Sequence, residues 1–496
     1  MVVARVLAID IGTSSVRATL YGRALQPLRQ GAQTRYRWRV AGDGSVEAPA
    51  PAIERALAEA IDAALEGTDA PVDAVGIAAF WHSLVGVDAR GRAVTGVIPW
   101  TDTRSAEEVD RLREEVDEHA IHARTGCRLH TSYWPTRLRW FRRHDKKTFR
   151  RVHRWMSLPA FIERQWLGRD AESISQASGT GMFLHSRTAW DDELCRTCEV
   201  SPEQLGRIVD LDDEGAEPSG SIARRWPLLR HARWIPAAGD GAVNDLGAGC
   251  SAAGKTALMI GTSGALRQTW TTDSAPDVPF GLWRYWLDRR RVVVGGALSN
   301  GGNLVAWMRH LLRPDVPPSS DEAATVRHVE ERIARLAPDS HNLTMLPFLA
   351  GERSPDYLPH ARAAIVGMTL ATTVNDIARA GLEAVAYRFL RVRDELTKVT
   401  PVTRLVATGA ALSVSRVWPQ IIADALGCPI ALPREAELTS RGAAILALER
   451  LGLAPRSIDP SVARVFHPDA RRHATYRGAA ERQQQLMKIL HGSGLC

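Results

Sequence analysis

Two stretches with the same residues, half a chain apart, constrain this sequence more than any other feature. Ile11-Gly12-Thr13-Ser14 closes an apolar run, Val6 to Ile9, that ends in Asp10. Ile260-Gly261-Thr262-Ser263 closes another, Ala257 to Met259. An arginine follows each, Arg17 and Arg267. The first copy reads as strand, tight turn and second strand, the second likewise follows a strand, and the pair suggests two related halves facing one another. Four shared residues do not establish a duplication. Their weight is chemical: glycine lets the backbone approach an anion, and Ser/Thr adds a hydroxyl donor beside the amides. A length of 496 residues agrees with two or three domains at about 100–200 residues each.

Composition removes several classes. Apolar residues are 45% and charged residues 24%, the balance of a globular protein, not of a disordered, collagenous or coiled-coil chain. The best candidate for a membrane span, Val292 to Met308, is broken by Ser299, Asn300 and Asn303, so no membrane association is expected. The first residues lack the basic segment and long apolar run of a secretory signal. Cys127, Cys195, Cys198, Cys250, Cys428 and Cys496 are scattered, which fits a reducing compartment and a cytoplasmic location. Cys195 and Cys198 have CxxC spacing, but no second pair or nearby histidine completes a zinc site, and two ordinary helical thiols are expected. The net charge is +7, and the stretch from Arg137 and Arg139 through Lys146 and Lys147 to Arg154 is strongly basic. No nucleic-acid module accompanies it, so it reads as a helical face around Leu138 and Trp140, and no nucleic-acid partner is expected.

Strands alternate with helices, which indicates an α/β architecture. Ile53, Leu57, Ile61 and Leu65 predict a helix that ends at Gly67. Val72 to Phe80 is a strand-length apolar run, and Ser83 to Trp100 reads as a hairpin turning at 88–91. A long amphipathic helix is predicted over Val374 to Leu396, with Thr373 and Asp376 as a cap. Another is predicted from about Ser415 to Leu426, ending at Gly427. Small residues from Ala237 to Ala253 mark the expected boundary between domains 1–245 and 246–455, and 456–496 reads as a peripheral helical tail.

Three constellations could carry chemistry. Asp10 precedes the first turn. A carboxylate there would repel phosphates unless a hard cation lay between, so it is a candidate Mg²⁺ ligand or simply the cap of a tight hairpin. Gly239-Asp240-Gly241 sets an acid between residues without bulk at the start of a small-residue helix. Asp240 could accept a proton from an attacking alcohol or could be the N-cap of that helix. Trp81-His82 and Trp100-Thr101-Asp102-Thr103-Arg104 come third. If the latter is a strand, Trp100, Asp102 and Arg104 share one face, suited to a polyol or to an internal Asp102–Arg104 pair. No GxxxxGK[ST] occurs and no GxGxxG follows the first strand, which disfavours a P-loop or dinucleotide fold.

Taken in order, these residues resemble the FGGY-type carbohydrate kinases of the actin/sugar-kinase/Hsp70 superfamily. The resemblance runs over roughly residues 4 to 450. It rests on Asp10-Ile11-Gly12-Thr13-Ser14, Trp100-Thr101-Asp102-Thr103-Arg104, Gly239-Asp240-Gly241, Gly261-Thr262-Ser263-Gly264, Gly351-Glu352-Arg353-Ser354-Pro355 and Thr408-Gly409-Ala410-Ala411-Leu412-Ser413 with Trp418-Pro419-Gln420. It implies two ribonuclease-H-like domains with ATP in the cleft between them, and transfer of its γ-phosphate to a sugar hydroxyl. It implies Asp240 as base and Asp10 near Mg²⁺. Gly12, Thr13, Ser14, Arg17, Gly261, Thr262, Gly302, Gly409, Ala410 and Ser413 would then lie around the nucleotide. Trp81, His82, Trp100, Asp102 and Tyr133, with Asp240, would lie around the sugar.

Two departures bear on specificity. The three-glycine start of the adenosine motif is Thr408-Gly409-Ala410 here, and Trp81 stands where the family commonly has Met. Within the family, Thr125 to Pro135 looks more like gluconate kinases than xylulose kinases, and Arg128 and Arg137 would suit a sugar acid. Gluconate is therefore the expected acceptor. A xylulose or other ketose or polyol kinase, and a non-catalytic nucleotide-binding switch, are the alternatives. A homodimer is compatible with the sequence.

Overall fold

The computed structural model describes residues 4–213, 216, 218–312 and 330–493; Cys496 lies outside them. The repeated turn proves to be the centre of two like-built sheets. In the first, β1 (Arg5–Ile11) turns into antiparallel β2 (Ser15–Gly22), with Asp10 opposite Arg17. β3 (Ala32–Arg35) extends that side. On the other side β4 (Ala74–Ala79) runs parallel to β1, and β5 (Arg233–Trp234) and β6 (Ala238–Gly239) run parallel to β4.

In the second sheet, β7 (Gly254–Ile260) turns into antiparallel β8 (Gly264–Thr271). β9 (Trp283–Trp286) and β10 (Arg291–Leu298) follow, with β10 against β8. On the other side β11 (Val402–Thr408) runs parallel to β7 and β12 (Ile430–Pro433) parallel to β11. The two orders, β3-β2-β1-β4 with β5 and β6, and β10-β8-β7-β11-β12, repeat one scheme. These are the two ribonuclease-H-like α/β domains that the resemblance implied.

Each sheet is buried by helices with the spacing its sequence predicts. α1 (Ala50–Leu65) has Pro in its first turn, lays Ile53, Leu57 and Ile61 on the first sheet and is followed by Gly67 at φ 65°. Burying side chains of this size stabilises by roughly 1.5–3 kcal/mol each. α2 (Trp134–His144) carries part of the basic stretch. α3 (Asp240–Gly247) follows β6 directly, and α4 (Gly302–Leu312) starts beside the second turn. α5 (Val374–Leu396) has the predicted bounds, and Thr373 and Asp376 cap it reciprocally. α6 (Trp418–Leu426) ends at Gly427 in the left-handed region. The turn at 88–91 is also present, with the Gly91 amide donating to the Asp88 carbonyl.

The structure refines the sequence reading in four places. The Ala237–Ala253 segment, the expected domain boundary, contains β6 and α3, and the 245/246 division falls inside α3. Its small residues serve contact. α7 (Leu438–Arg450) crosses α3 so closely that Gly247 faces the Leu438 carbonyl and Gly442 the Val243 carbonyl. α7 also packs on β1 and β4, so a late segment of the chain closes the first sheet. The tail is more than a helix. β13 (Val462–Phe466) is an edge strand on β12, and α8 (Ala470–Gly492) buries Tyr476 and Gln483.

Part of the basic stretch is paired, Arg139 with Glu108 and Glu115, Arg142 with Glu199, Arg143 with Glu108 and Arg154 with Asp170, while Lys146, Lys147, Arg150 and Arg151 remain an exposed face. Finally, Trp100 to Arg104 forms no strand. The Asp102 amide donates to the Pro99 carbonyl and the chain turns there. Cys195 and Cys198 are buried free thiols at the end of a short helix, and burial pushes the Cys195 thiol up to about 12. Among the described residues no helix is long and apolar enough to cross a membrane.

Candidate active site

A cavity of about 700 Å³ lies between the two sheets, and both repeated turns open into it. Thr13, Ser14 and Arg17 line it from the first, Gly261, Thr262 and Arg267 from the second. Both turns are braced from behind. The Gly12 amide donates to the Ser15 carbonyl at 3.0 Å, Tyr36 Oη to the Gly12 carbonyl at 2.5 Å, and Trp38 Nε1 to the Thr13 carbonyl at 2.6 Å. At the second turn the amides of Gly302 and Asn303 donate to the carbonyls of Gly261 and Thr262. Gly12 and Gly302, expected around the nucleotide, are thus supports of the turns and not part of the cavity wall. A side chain at Gly302 would strike the Gly261 carbonyl.

Gly409 lies beside the same turns. Its φ is 91° and its absent side chain faces the Ile260 backbone, so only glycine fits. Ala410 opens a right-handed helical turn, Ala410–Val414, so its methyl costs no backbone strain and sits in the cavity wall with Ser413. Thr408 is buried and donates from Oγ1 to Asn244 Oδ1 at 3.2 Å.

Asp10 and Asp240 face the middle of the cavity. Asp240 is the first residue of α3 and not its cap, and its Oδ1 accepts from the Gly241 amide at 2.7 Å. Burial raises its carboxyl to about 6, against the opposing pull of Arg267 and the amides of Gly241 and Trp81. Asp10 is raised to about 7, first by burial and then by the charge of Asp240, with Arg17 opposing. Arg17 lies 3.5 Å from Asp10 and 3.3 Å from Glu437, which precedes α7. Arg267 is held by Asp245 at 3.1 Å, and Asp245 also accepts from Thr269 Oγ1.

The glycines beside Asp240 have a different purpose from the one read in the sequence. A side chain at Gly239 or Gly241 would run into the Trp81 indole, as would one at Gly179. The bare flanks admit Trp81, which donates from Nε1 to the Ser175 carbonyl at 2.8 Å and floors the pocket. His82, Trp100 and Tyr133 line it beside Trp81. His82 Nδ1 lies 2.5 Å from the Gly179 carbonyl. A carbonyl only accepts, so Nδ1 carries the proton, and burial holds the ring neutral by lowering its pKa to about 3. Its Nε2 is therefore an acceptor.

His130 is the converse. Its Nδ1 accepts from the Ser132 amide at 3.1 Å, and burial lowers its pKa to about 3, so Nε2 carries the hydrogen and donates. One acceptor and one donor fixed in this way suit a hydroxylated chain.

Asp102 is elsewhere. It is fully buried and outside the cavity wall; Oδ2 accepts from the Val46 amide at 2.6 Å and Arg104 Nε at 2.9 Å. It ties down the loop that carries Trp100. Arg128 pairs with Glu118, and Arg137 donates to the carbonyls of Thr131, His82 and Pro99, so neither faces the cavity. Sequence reasoning missed His130, Tyr285, Arg353 and Tyr357 as lining residues. Trp283-Arg284-Tyr285-Trp286 did carry a signal, aromatic residues at strand period, and Arg353 lay in a quoted motif. Away from the cavity, Asp339, His341 and Glu383 have metal-ligand spacing. Both Glu383 oxygens are already taken, by Arg379 and Tyr476 on one side and His341 and Tyr387 on the other.

Comparison with known proteins agrees with this geometry. Residues 5–247 match the N-terminal domain of the FGGY family of carbohydrate kinases, and residues 257–449 its C-terminal domain. A gluconokinase from Bacillus subtilis (strain 168) is 27% identical over 454 residues, 90% of this chain and 87% of that protein. A glycerol kinase from Ralstonia nicotianae is 29% identical over 516 residues, 97% and 98% of the two chains. Among solved structures, a gluconate kinase from Lactobacillus acidophilus superposes with a TM-score of 0.90 at 23% identity, over 98% of each chain. A ligand-bound xylulose kinase from the same organism superposes at 0.91 and 23%, over 99% of each chain.

Proposed function

The chain belongs to the FGGY family of carbohydrate kinases, and from that premise we propose that it transfers the γ-phosphate of ATP to a hydroxyl of gluconate or a closely related sugar acid. The observation that carries this reading is the half-buried Asp240 at the start of α3, facing a cavity walled by two phosphate-type turns on one side and by Trp81, His82 and Tyr133 on the other. Asp240 accepts the proton of the attacking hydroxyl, late in a loose transition state. Thr13, Ser14, Arg17, Gly261 and Thr262 hold the polyphosphate through backbone and hydroxyl donors. Gly409, Ala410 and Ser413 border the adenosine. His82 accepts from one sugar hydroxyl, His130 donates to another, and Trp81 and Trp100 bound the carbon chain.

Asp10 and Asp240 are two carboxylates forced into one buried space, each resisting ionisation, and that donor set fits a divalent cation. Asp10 would hold Mg²⁺ there, which supplies charge neutralisation at the phosphates when bound. Closure of the lobes about α3 and α7 would shut water out and limit hydrolysis of ATP. Gluconate is preferred over xylulose and glycerol because the stretch Thr125 to Pro135 resembles the gluconate-kinase branch, and a gluconokinase is among the relatives that match most of the chain.

A panel of gluconate, xylulose and glycerol with ADP release as readout tests the assignment. Gluconate is expected to give the highest kcat/KM. ATP binding with no acceptor-stimulated ADP release would instead indicate a nucleotide-binding switch. The pH profile is a second check. Asp240 must be ionised to act as base, and its carboxyl sits near 6. The profile of kcat/KM should therefore fall on the acid side of about pH 6, well above the 3.8 of an unburied aspartate. A flat profile down to pH 5 would be incompatible with this role.

A further inference from the structure

Arg353 is the cation at the sugar end of the cavity that has no carboxylate partner among the described residues. It reaches the wall from the Gly351–Pro355 loop, and its guanidinium lies 4.9 Å over the Trp100 ring. One hydrogen bond holds it, from Nη2 to the Leu298 carbonyl at 3.1 Å, while Nε is shut from solvent without a partner. The other cations of the cavity are placed differently. Arg17 pairs with Asp10 and Glu437, Arg267 with Asp245, and Arg434 is exposed beside Glu435 to Glu437. Arg353 faces neutral groups only. His82 and His130 are kept uncharged by burial, with Arg353 adding to the effect on both, and Tyr133 and Tyr285 bond to each other through their hydroxyls at 2.6 Å.

A guanidinium set in a poorly solvated pocket without a counter-charge is costly, and the cost falls when an anion fills the place. Arg is also the side chain whose fork matches a carboxylate. We propose that Arg353 is the specificity residue that receives the carboxylate of an aldonic acid, with Trp100 holding its guanidinium flat. This rests on the kinase reading above and adds to it the residue that reads the acid. It also replaces Arg128 and Arg137 in that part, since both are consumed by the fold.

The test compares D-gluconate with D-gluconamide, its neutral isostere, by titration calorimetry on the full chain. Binding is read, so the result does not depend on turnover. The wild-type protein should bind gluconate roughly ten- to a hundred-fold more tightly than the amide, the range of a charge-assisted hydrogen bond. Arg353→Gln should reduce that preference to about twofold or less with the affinity for the amide little changed, and Arg353→Lys should restore part of it. Equal affinity for acid and amide in the wild-type protein overturns the proposal even if no variant folds. So does a full preference surviving in Arg353→Gln. Absence of ADP release with every acceptor, together with a normal acid preference, would sink the kinase reading and leave Arg353 as an acid-binding residue.

Discussion

Asp240→Asn should lower kcat by a factor of about 10²–10⁴, the usual share of a positioned base, while ATP binding holds or tightens slightly. The substitution keeps the shape, and Asn Oδ1 can still accept from the Gly241 amide, which is the hydrogen bond that fixes this side chain. It removes only the ability to take a proton and a negative charge beside the polyphosphate. The variant should also be more stable than the wild-type protein at pH 8. The folded-state carboxyl sits near 6 against 3.8 for a free one, so the wild-type protein bears the cost of a buried charge once the pH exceeds the folded value. That cost disappears below the ordinary carboxylate range, and the two melting temperatures should converge there. A folded Asp240→Asn protein with near wild-type turnover would reject the assignment. A less stable variant at pH 8 would reject the electrostatic account.

Much of this site was legible because phosphate chemistry leaves local marks. A Gly-Thr-Ser turn after an apolar strand is contiguous, and finding it twice fixed the centre of both sheets before any topology was known. The wall formed by the two turns therefore follows the sequence closely, from Thr13 and Arg17 to Gly409 and Ser413. The aromatic wall does not, because it is assembled from loops distant in the chain. Arg353 comes from a loop more than two hundred residues beyond His130. Nothing at either position says that they meet.

Asp102 follows the plainer of its two readings. Its alternation with Trp100 and Arg104 would have shared a face in a strand, but a turn at Pro99 sends it inward, where it makes the internal pair with Arg104 and also accepts from the Val46 amide. The residues flanking Asp240 have no bulk, yet the space they leave is taken by an indole from Trp81. In each case a local pattern was present and its partner was remote.

The crossing of α3 and α7 yields the largest expected effect on stability. Gly442→Ala would put a methyl well inside van der Waals contact of the Val243 carbonyl oxygen, and both groups belong to helix backbone. No rotamer change relieves such a contact, so the helices must separate. Replacing a helical glycine by alanine otherwise stabilises by about 1 kcal/mol, while overpacking costs about 1–3 kcal/mol and occasionally more. A clash with backbone lies at the upper end, so a net loss of about 2 kcal/mol or more is expected, read as a lower urea midpoint.

The functional consequence follows from what the two helices carry. α3 begins with Asp240 and α7 follows Glu437, the second partner of Arg17. Spreading them moves Asp240 and the Arg17 contact together. Turnover at a temperature where the variant is fully folded should therefore fall as well, with sugar and ATP KM values both raised. Gly478→Ala is the control: it is a helical glycine in α8 whose added methyl meets nothing, so it should gain the helix propensity and leave turnover unchanged. Unaltered stability and kinetics in Gly442→Ala would mean that the helices are not held at this distance, and that the small residues from Ala237 to Ala253 are there for some reason other than close contact.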